Sequence, residues 1–286
     1  MSGTSARRNR PFAVTCAALG LWIAAVAVCF AQGQGPSPLK IDWLQGPAVA
    51  KLSDMAEVKL PEGFMFARAD DARRLMEAIH NIPSGREVGL VTKPGDNWYA
   101  VFEFDDVGYV KDDEKANLDA DAMLKAIKQG NEEGNKERQK RGWPTMTIVG
   151  WDQAPFYNAQ THNLEWAIRG ESSAQPVVNF NTRILGRKGV MRVTLVTDPN
   201  RLNENLPAYR ELMGNFEFKS GSRYAEFVQG DKVAQYGLTA LVVGGAGVVA
   251  AKAGVFKWLW KVLLAVGIGL VALLKKWFGG RKASPQ

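Results

Sequence analysis

The sequence predicts an α+β domain built mainly on an antiparallel sheet, with two or three helices, held between two apolar terminal segments. Three observations predict it. Segments of period-two alternation recur between residues 41 and 232 and meet at hairpin signals such as Gly186-Arg187-Lys188-Gly189. Residues 70–80 and 119–141 carry helical periodicity instead. Strands joined by hairpins, with helices between some of them, make an antiparallel rather than a parallel sheet.

Each element follows from local chemistry. Arg7, Arg8 and Arg10 precede an apolar run over 12–31, and Cys29 and Ala31 place small residues at −3 and −1 of a cut before Gln32. Residues 1–31 therefore read as a signal peptide, or as an uncleaved anchor, since ~20 apolar residues can span a bilayer. Residues 32–40, rich in Gly, Gln and Pro, read as a linker, and 41–232 as a soluble extracytoplasmic domain. Residues 58–64 look like a strand entering a turn. Residues 70–80 form a helix capped by Asp70 or Asp71, with Leu75, Met76 and Ile79 on its apolar face. Residues 87–92 and 98–104 pair as a hairpin about Lys93-Pro94-Gly95-Asp96-Asn97.

The longest helix spans 119–141. Its first half carries an apolar stripe of Leu118, Met123, Leu124 and Ile127. Its second half is polar, with Glu132–Lys136 and Glu137–Arg141 at i,i+4. Gly142 and Pro144 end it. Strands follow at 145–151, 164–169, 177–185 and 190–197. A short helix at 205–213 carries Pro207 early, and Phe216 and Phe218 mark a last strand.

Residues 233–278 read as a hydrophobic membrane anchor and 279–286 as a basic tail. The stronger span is 258–274, contributing Leu263, Leu264, Leu270, Leu273 and Leu274. Trp258, Trp260 and Trp277 suit the interfaces, and Lys261, Lys275 and Lys276 flank them. The earlier piece, 237–251, offers Gly244, Gly245 and Gly247 as a small face for helix packing. One span, or a hairpin turning near 252–257, satisfies this pattern.

Charge and cysteine usage narrow the function. The 286-residue chain carries +7, yet within 32–232 there are 26 basic residues against 29 acidic ones, a net −3. The basic excess belongs to the tails, so nucleic acid is not the expected partner. The bilayer is expected, together with another envelope protein or a second copy of the chain. Both cysteines, Cys16 and Cys29, lie in the N-terminal apolar run, so the domain has neither a thiolate nucleophile nor a Cys-bound metal. Phosphate loops, dinucleotide fingerprints and Gly-x-Ser-x-Gly are absent, and no cofactor is expected.

Candidate residues are few. His80 ends a helix, where a histidine suits the dipole. His162 lies in a loop beside Thr161 and Asn163. Glu103, Asp105, Asp106, Asp112, Asp113 and Glu114 form an acidic run that reads as a solvated turn, with calcium binding or acid–base chemistry as alternatives. Trp151, Asp152, Phe156, Tyr157 and His162 form the expected contact surface, because aromatics are dense at 151–157, between two expected strands.

Several strings resemble a known family. They are Gly108-Tyr109-Val110-Lys111-Asp112-Asp113-Glu114, Asn131-Glu132-Glu133, Asn135-Lys136-Glu137-Arg138, Thr147-Ile148-Val149-Gly150-Trp151, Thr161-His162-Asn163-Leu164-Glu165-Trp166-Ala167 and Asn181-Thr182-Arg183-Ile184-Leu185-Gly186-Arg187. The family is one of bacterial membrane-anchored proteins carrying a domain of unknown function. The resemblance implies an exported domain tied to the inner membrane, facing the periplasm or cell exterior, and brings no catalytic residues. The expected function is a non-enzymatic interaction or assembly module of the cell envelope. The alternatives are a carboxylate-dependent hydrolase using Asp112, Asp113 or His162, and a ligand-sensing accessory subunit using the aromatic segment.

Overall fold

The computed structural model describes residues 39–173 and 175–244, and the folded unit starts at Ile41. In chain order its elements are β1 (Trp43–Gln45), β2 (Ala48–Leu52), β3 (Ala56–Leu60), β4 (Met65–Arg68), α1 (Ala69–Ala78), β5 (Glu87–Thr92), β6 (Tyr99–Asp105), α2 (Ala120–Lys140), β7 (Met146–Asn158), β8 (Asn163–Ser172), β9 (Gln175–Leu185), β10 (Val190–Thr197), α3 (Leu202–Gly214), β11 (Phe216–Phe218) and α4 (Leu238–Val243). The eight-stranded sheet has the order β1-β4-β5-β6-β10-β9-β8-β7, and a three-stranded sheet has the order β11-β3-β2. Every pairing within both sheets is antiparallel, as expected.

Side chains alternate across the large sheet, so register decides what each face carries. Val193 pairs with Phe102 and Thr182, and Leu195 with Ala100 and Phe180. These residues share the first face. The small sheet and α3 cover it, adding Leu52, Val58, Leu60, Tyr209 and Leu212 to the main core. Tyr209 is fully buried there and its hydroxyl donates to Thr182 Oγ1 at 2.8 Å. Gly89 admits the Phe66 ring, which a Cβ at that position would meet at 2.1 Å.

The second face is covered only at its two ends. At one end α1 brings Ala72 against Ala67, Leu90 and Val101. At the other, α2 and α4 pack Met123, Leu238 and Leu241 over Leu164, Trp166, Leu185 and Val190. The acidic pair in α1 does not cap it: Arg68 is the N-cap without a side-chain bond, and Asp70 and Asp71 lie in the first turn. There they face the positive end of the dipole, and Asp71 also accepts the Asp42 N–H at 2.9 Å.

α2 matches its expected limits. Asp119 is its N-cap and accepts from the Ala122 N–H. Gly142, at φ +67, closes its other end, with Trp143 N–H on the Arg138 carbonyl and Gly142 N–H on that of Gln139. Its polar second half clamps the edge strand. Asn135 accepts the Met146 N–H at 2.8 Å and donates to the Met146 carbonyl at 2.7 Å, where Asn131 also donates. The clamp occupies the outward backbone groups at the start of β7, which a further strand would otherwise pair with.

Three expectations change. The segment 151–157 lies within β7 and not between strands, because Pro155 sits on an edge strand and register shifts break its alternation. Pro207 is inside α3, which starts a turn earlier than expected because Leu202 and Leu206 pack on the main core. There are four α-helices among the described residues rather than two or three.

The fourth helix, α4, is drawn from residues grouped in the sequence with the hydrophobic anchor. A short apolar run reads alike for a core helix and for part of a span. Here Leu238, Leu241 and Val242 are buried in the domain, and Gly244 closes the helix at φ +92. Glu114 accepts the Thr239 N–H at 2.8 Å, and a Cβ on Gly237 would meet its carboxylate at 2.5 Å. Among the described residues no helix is long and apolar enough to cross a membrane. The expected signal peptide, Gly245, Gly247 and the expected span at 258–274 lie outside the described residues.

Two outcomes follow. Residues 39–244 expressed alone should fold, whereas residues 39–232 should be largely unfolded by circular dichroism and urea titration. The shorter chain loses three buried aliphatic side chains worth ~1.5–3 kcal/mol each, a large share of a typical domain stability of about 5–15 kcal/mol. Asn135→Ala should lower the urea-unfolding free energy by about 1–2 kcal/mol, because the Met146 N–H loses its partner while Asn131 still serves the carbonyl.

Candidate functional site

Between α1 and α2 three adjacent strands floor a cleft of about 400 Å³. Its lining takes Tyr99, Val101 and Glu103 from β6, Thr194 and Val196 from β10, and Val177 and Asn179 from β9. On the same face Asn181 and Arg183 are buried and Arg192 lies beside Glu103 and Arg183, while Val196 lies beside Tyr99 and Asn179. The walls of the cleft are the end of α1 with the following loop (Met76, Ile79, Asn81) and the end of α2 with Arg138 and Pro144.

One end of the cleft is acidic. Glu87 pairs in register with Glu103 across β5 and β6. Ser84 joins them: its N–H donates to Glu87 Oε1, and its hydroxyl donates to Glu103 Oε1. Glu103 also faces Arg192 at 3.9 Å. Burial alone would raise the Glu103 carboxyl, but Arg192, the Ser84 hydrogen bond, Arg183 and Arg86 together hold it below the usual value. Asp105 is paired with Arg86 at 2.9 Å and Arg192 at 3.5 Å. Arg183 is fully buried and stacks over Trp166 at 4.6 Å. Burial, then the adjacent Arg192, pushes its pKa down to about 9. Glu87 differs from its neighbours. It is only 4% exposed, it makes no ion pair among the described residues, and its Oε2 has no hydrogen-bond partner.

The other end is basic. Arg138, on the last turn of α2, donates to the Pro144 carbonyl at 3.0 Å and to Asn81 Oδ1 at 3.4 Å. Asn81 Nδ2 in turn donates to the Tyr99 hydroxyl at 3.1 Å. Burial draws the Arg138 pKa below the usual guanidinium value, and no carboxylate pairs with it among the described residues. Burial pushes Tyr99 up to about 12, against the opposing influence of Asn81 and Arg138. Tyr99 and Glu103 lie four residues apart on one strand face, so the two ends are separated by about 13 Å.

The residues singled out from sequence fall in other places. Trp151 is half-buried under α2 and donates to the Ala120 carbonyl at 3.1 Å. Asp152 pairs with Arg169, and Phe156 is exposed. Tyr157 and His162 meet at the β7–β8 turn: the hydroxyl lies 3.3 Å from Nδ1, and His162 packs on Tyr224. His162 takes φ +53 in the β7–β8 turn. Burial raises Tyr157, helped by the charge and hydrogen bond of Asp112. Burial would also raise Asp112, but hydrogen bonds from Lys115 and Tyr157 outweigh it and lower the carboxyl. The five contact-surface residues are thus divided between core and surface. Gly244 ends α4, away from the cleft lining.

The acidic run is likewise dispersed. Glu103 and Asp105 are ion-paired on β6, Asp106 lies beside Lys232, Asp112 bonds Lys115, and Glu114 holds α4. Among the described residues no three histidine, aspartate or glutamate side chains converge as a metal site. His80 lines the cleft at φ +58 and stacks on Trp143. Glu87, Tyr99, Arg138 and the β9–β10 polar stripe escaped the sequence reading. The signal for the stripe is present as polar residues at every second position, Asn179, Asn181 and Arg183 on one strand and Arg192 and Thr194 on the next.

Fold and cleft together define an antiparallel-sheet α+β domain with a dipolar groove on one face. The chain belongs to the family described as "Protein of unknown function (DUF2167)", matched over residues 45–275. No curated protein matches it. It is similar to the solution structure of cyanobacterial PsbP (CyanoP) from Synechocystis sp. PCC 6803, at 9% identity and a TM-score of 0.38, over 67% of this chain and 99% of that one.

Burial raises five of the six tyrosines, Tyr99, Tyr157, Tyr209, Tyr224 and Tyr236. Keeping them protonated contributes stability that is complete below about pH 10, where unfolded tyrosine titrates. That stability is lost as pH climbs through their raised folded values. An ultraviolet titration should therefore show Tyr99, Tyr157, Tyr209 and Tyr224 still largely protonated at about pH 10.5 in the native chain and ionised in guanidinium.

Proposed function

We propose that this chain is a membrane-tethered, extracytoplasmic interaction module of the cell envelope that acts by binding at the α1–α2 cleft rather than by catalysis. The observation that carries this reading is a cleft lined by Glu87 beside Glu103 at one end and by Arg138 near Tyr99 at the other, neither Glu87 nor Arg138 having an ion pair among the described residues. Such a layout grips a molecule at two points. It does not converge a nucleophile, a base and a donor on one bond.

The hydrolase alternative would use Glu87 and Glu103, the carboxylates that register brings together. A glycosidase-type pair needs one member held protonated by a raised pKa. Arg192 and Ser84 hold Glu103 low, so Glu103 is not the protonated acid of such a pair. Tethering rests on the apolar segment after Gly244 with its tryptophan and lysine flanks, and export on the charged and apolar N-terminus.

Photo-crosslinking in native membranes tests the reading. Benzoylphenylalanine at Ile79 or Gln175, on the cleft lining, should yield adducts by mass spectrometry, and the same group at exposed Val49 on β2 should not. Adducts at Val49 with none at the cleft would refute it. Recovery of the chain in the soluble fraction after gentle lysis would refute the tether.

A further inference from the structure

Glu87 and Arg138 both line the cleft, and neither has an ion pair among the described residues. A buried carboxyl group with an unpaired oxygen is costly to maintain, and the half-buried Arg138 guanidinium is bound only to neutral oxygens. They lie at opposite ends of the cleft. Between them Val101 supplies an apolar lining, with Val196 level with Tyr99. Asn179 lies beside Val196 at that basic end, and its side-chain amide makes no hydrogen bond to any described residue, so a donor and an acceptor are available there.

An occupant that satisfies these features carries a cation at one end, an anion at the other and a polar amide next to the anion. An extended tripeptide is about 10 Å long at ~3.3–3.6 Å per residue, within the about 13 Å of β6 that runs from Glu103, which pairs with Glu87, to Tyr99, which Asn81 links to Arg138. We propose that the cleft binds short linear peptides of about three residues, the free ammonium against Glu87 and the free carboxylate against Arg138 and Tyr99. Asn179 then serves the peptide group next to that carboxylate. The proposal rests on the cleft being the binding site, and it names the ligand class.

The charge assignment can be tested by calorimetry on the full-length protein in detergent micelles. The probes are trialanine and Leu-Ala-Leu, each free, N-acetylated or C-amidated. Both free peptides should bind, and capping either end should weaken binding at least about tenfold, the scale of one charge-assisted contact. In Glu87→Gln, acetylation should cease to matter while amidation still does. In Arg138→Met the dependence should reverse. Unchanged thermal melting of both variants keeps folding out of the comparison.

Equal affinity for free and capped peptides would overturn the proposal, because an internal segment of a longer chain would then be the occupant. Absence of binding by either free peptide would overturn it as well. If cleft crosslinks persist in membranes while tripeptides fail to bind, the ligand class is wrong and the binding reading stands. If both fail, both fall.

Discussion

An eight-stranded sheet is about 34 Å wide at ~4.8 Å between strands, and two helices about 10 Å across cannot roof it. The first face escapes the shortfall because a second sheet and α3 extend across its apolar rows. The second face does not. α1 lies over β4 to β6 and α2 over β7 and β8, each placed by the loops that join it to the strands it follows or precedes. The central strands carry Asn179, Asn181, Arg183, Arg192, Thr194, Glu103 and Tyr99 on that face; Asn179, Thr194, Glu103 and Tyr99 line the cleft, and Asn181 and Arg183 are buried beside it.

Charges placed on a sheet face and partly roofed must be paired, and most of these are. Arg192 lies between Glu103 and Asp105, Arg86 supports Asp105, and Arg183 is shared between Trp166, Asn181 and the carboxylates beyond it. Arg183 shows what this packing costs, since desolvation and the neighbouring guanidinium draw its pKa down. Arg183 and Arg192 each keep a buried Nε without a hydrogen-bond partner, and beside this cluster Glu87 and Arg138 have no ion pair among the described residues. A purely structural network would have closed on itself, whereas this one stops at the edge of a cavity.

The legible parts of the fold are those whose signals are local. The β9–β10 hairpin follows from two alternating runs about Gly186 and Gly189, and a Cβ on Gly189 would meet the Asp105 carbonyl at 2.1 Å. The limits of α2 follow from Asp119 and Gly142, its polar half from the absence of apolar residues after Ile127. Pairing of β6 with β10 has no local signal, and that pairing brings Arg192 to Glu103 and builds the cleft floor. Glu87 and Arg138 are unremarkable in sequence, one at a strand start and one on a charged helix. Only the tertiary fold makes them the two ends of one groove. The aromatic segment at 151–157 is divided: Trp151 donates to the start of α2, Tyr157 is buried against His162 and Asp112, and Phe156 is exposed.

α2 is common to the cleft and to the junction with the C-terminal apolar segment. Its last turn supplies Arg138 to the cleft wall, and its first turns place Met123, Leu124 and Ile127 in the cluster that holds α4. At about 1.5 Å per residue its 21 residues span about 31 Å as one rigid rod. The Asn135 clamp fixes that rod to the edge strand at one end, and the Trp151 indole fixes it at the other. α4 is seated by Glu114 and by burial, and the chain passes from it directly into the apolar residues beyond Gly244. The helix that lends the cleft its basic end therefore also bears on α4, the last described element of the chain.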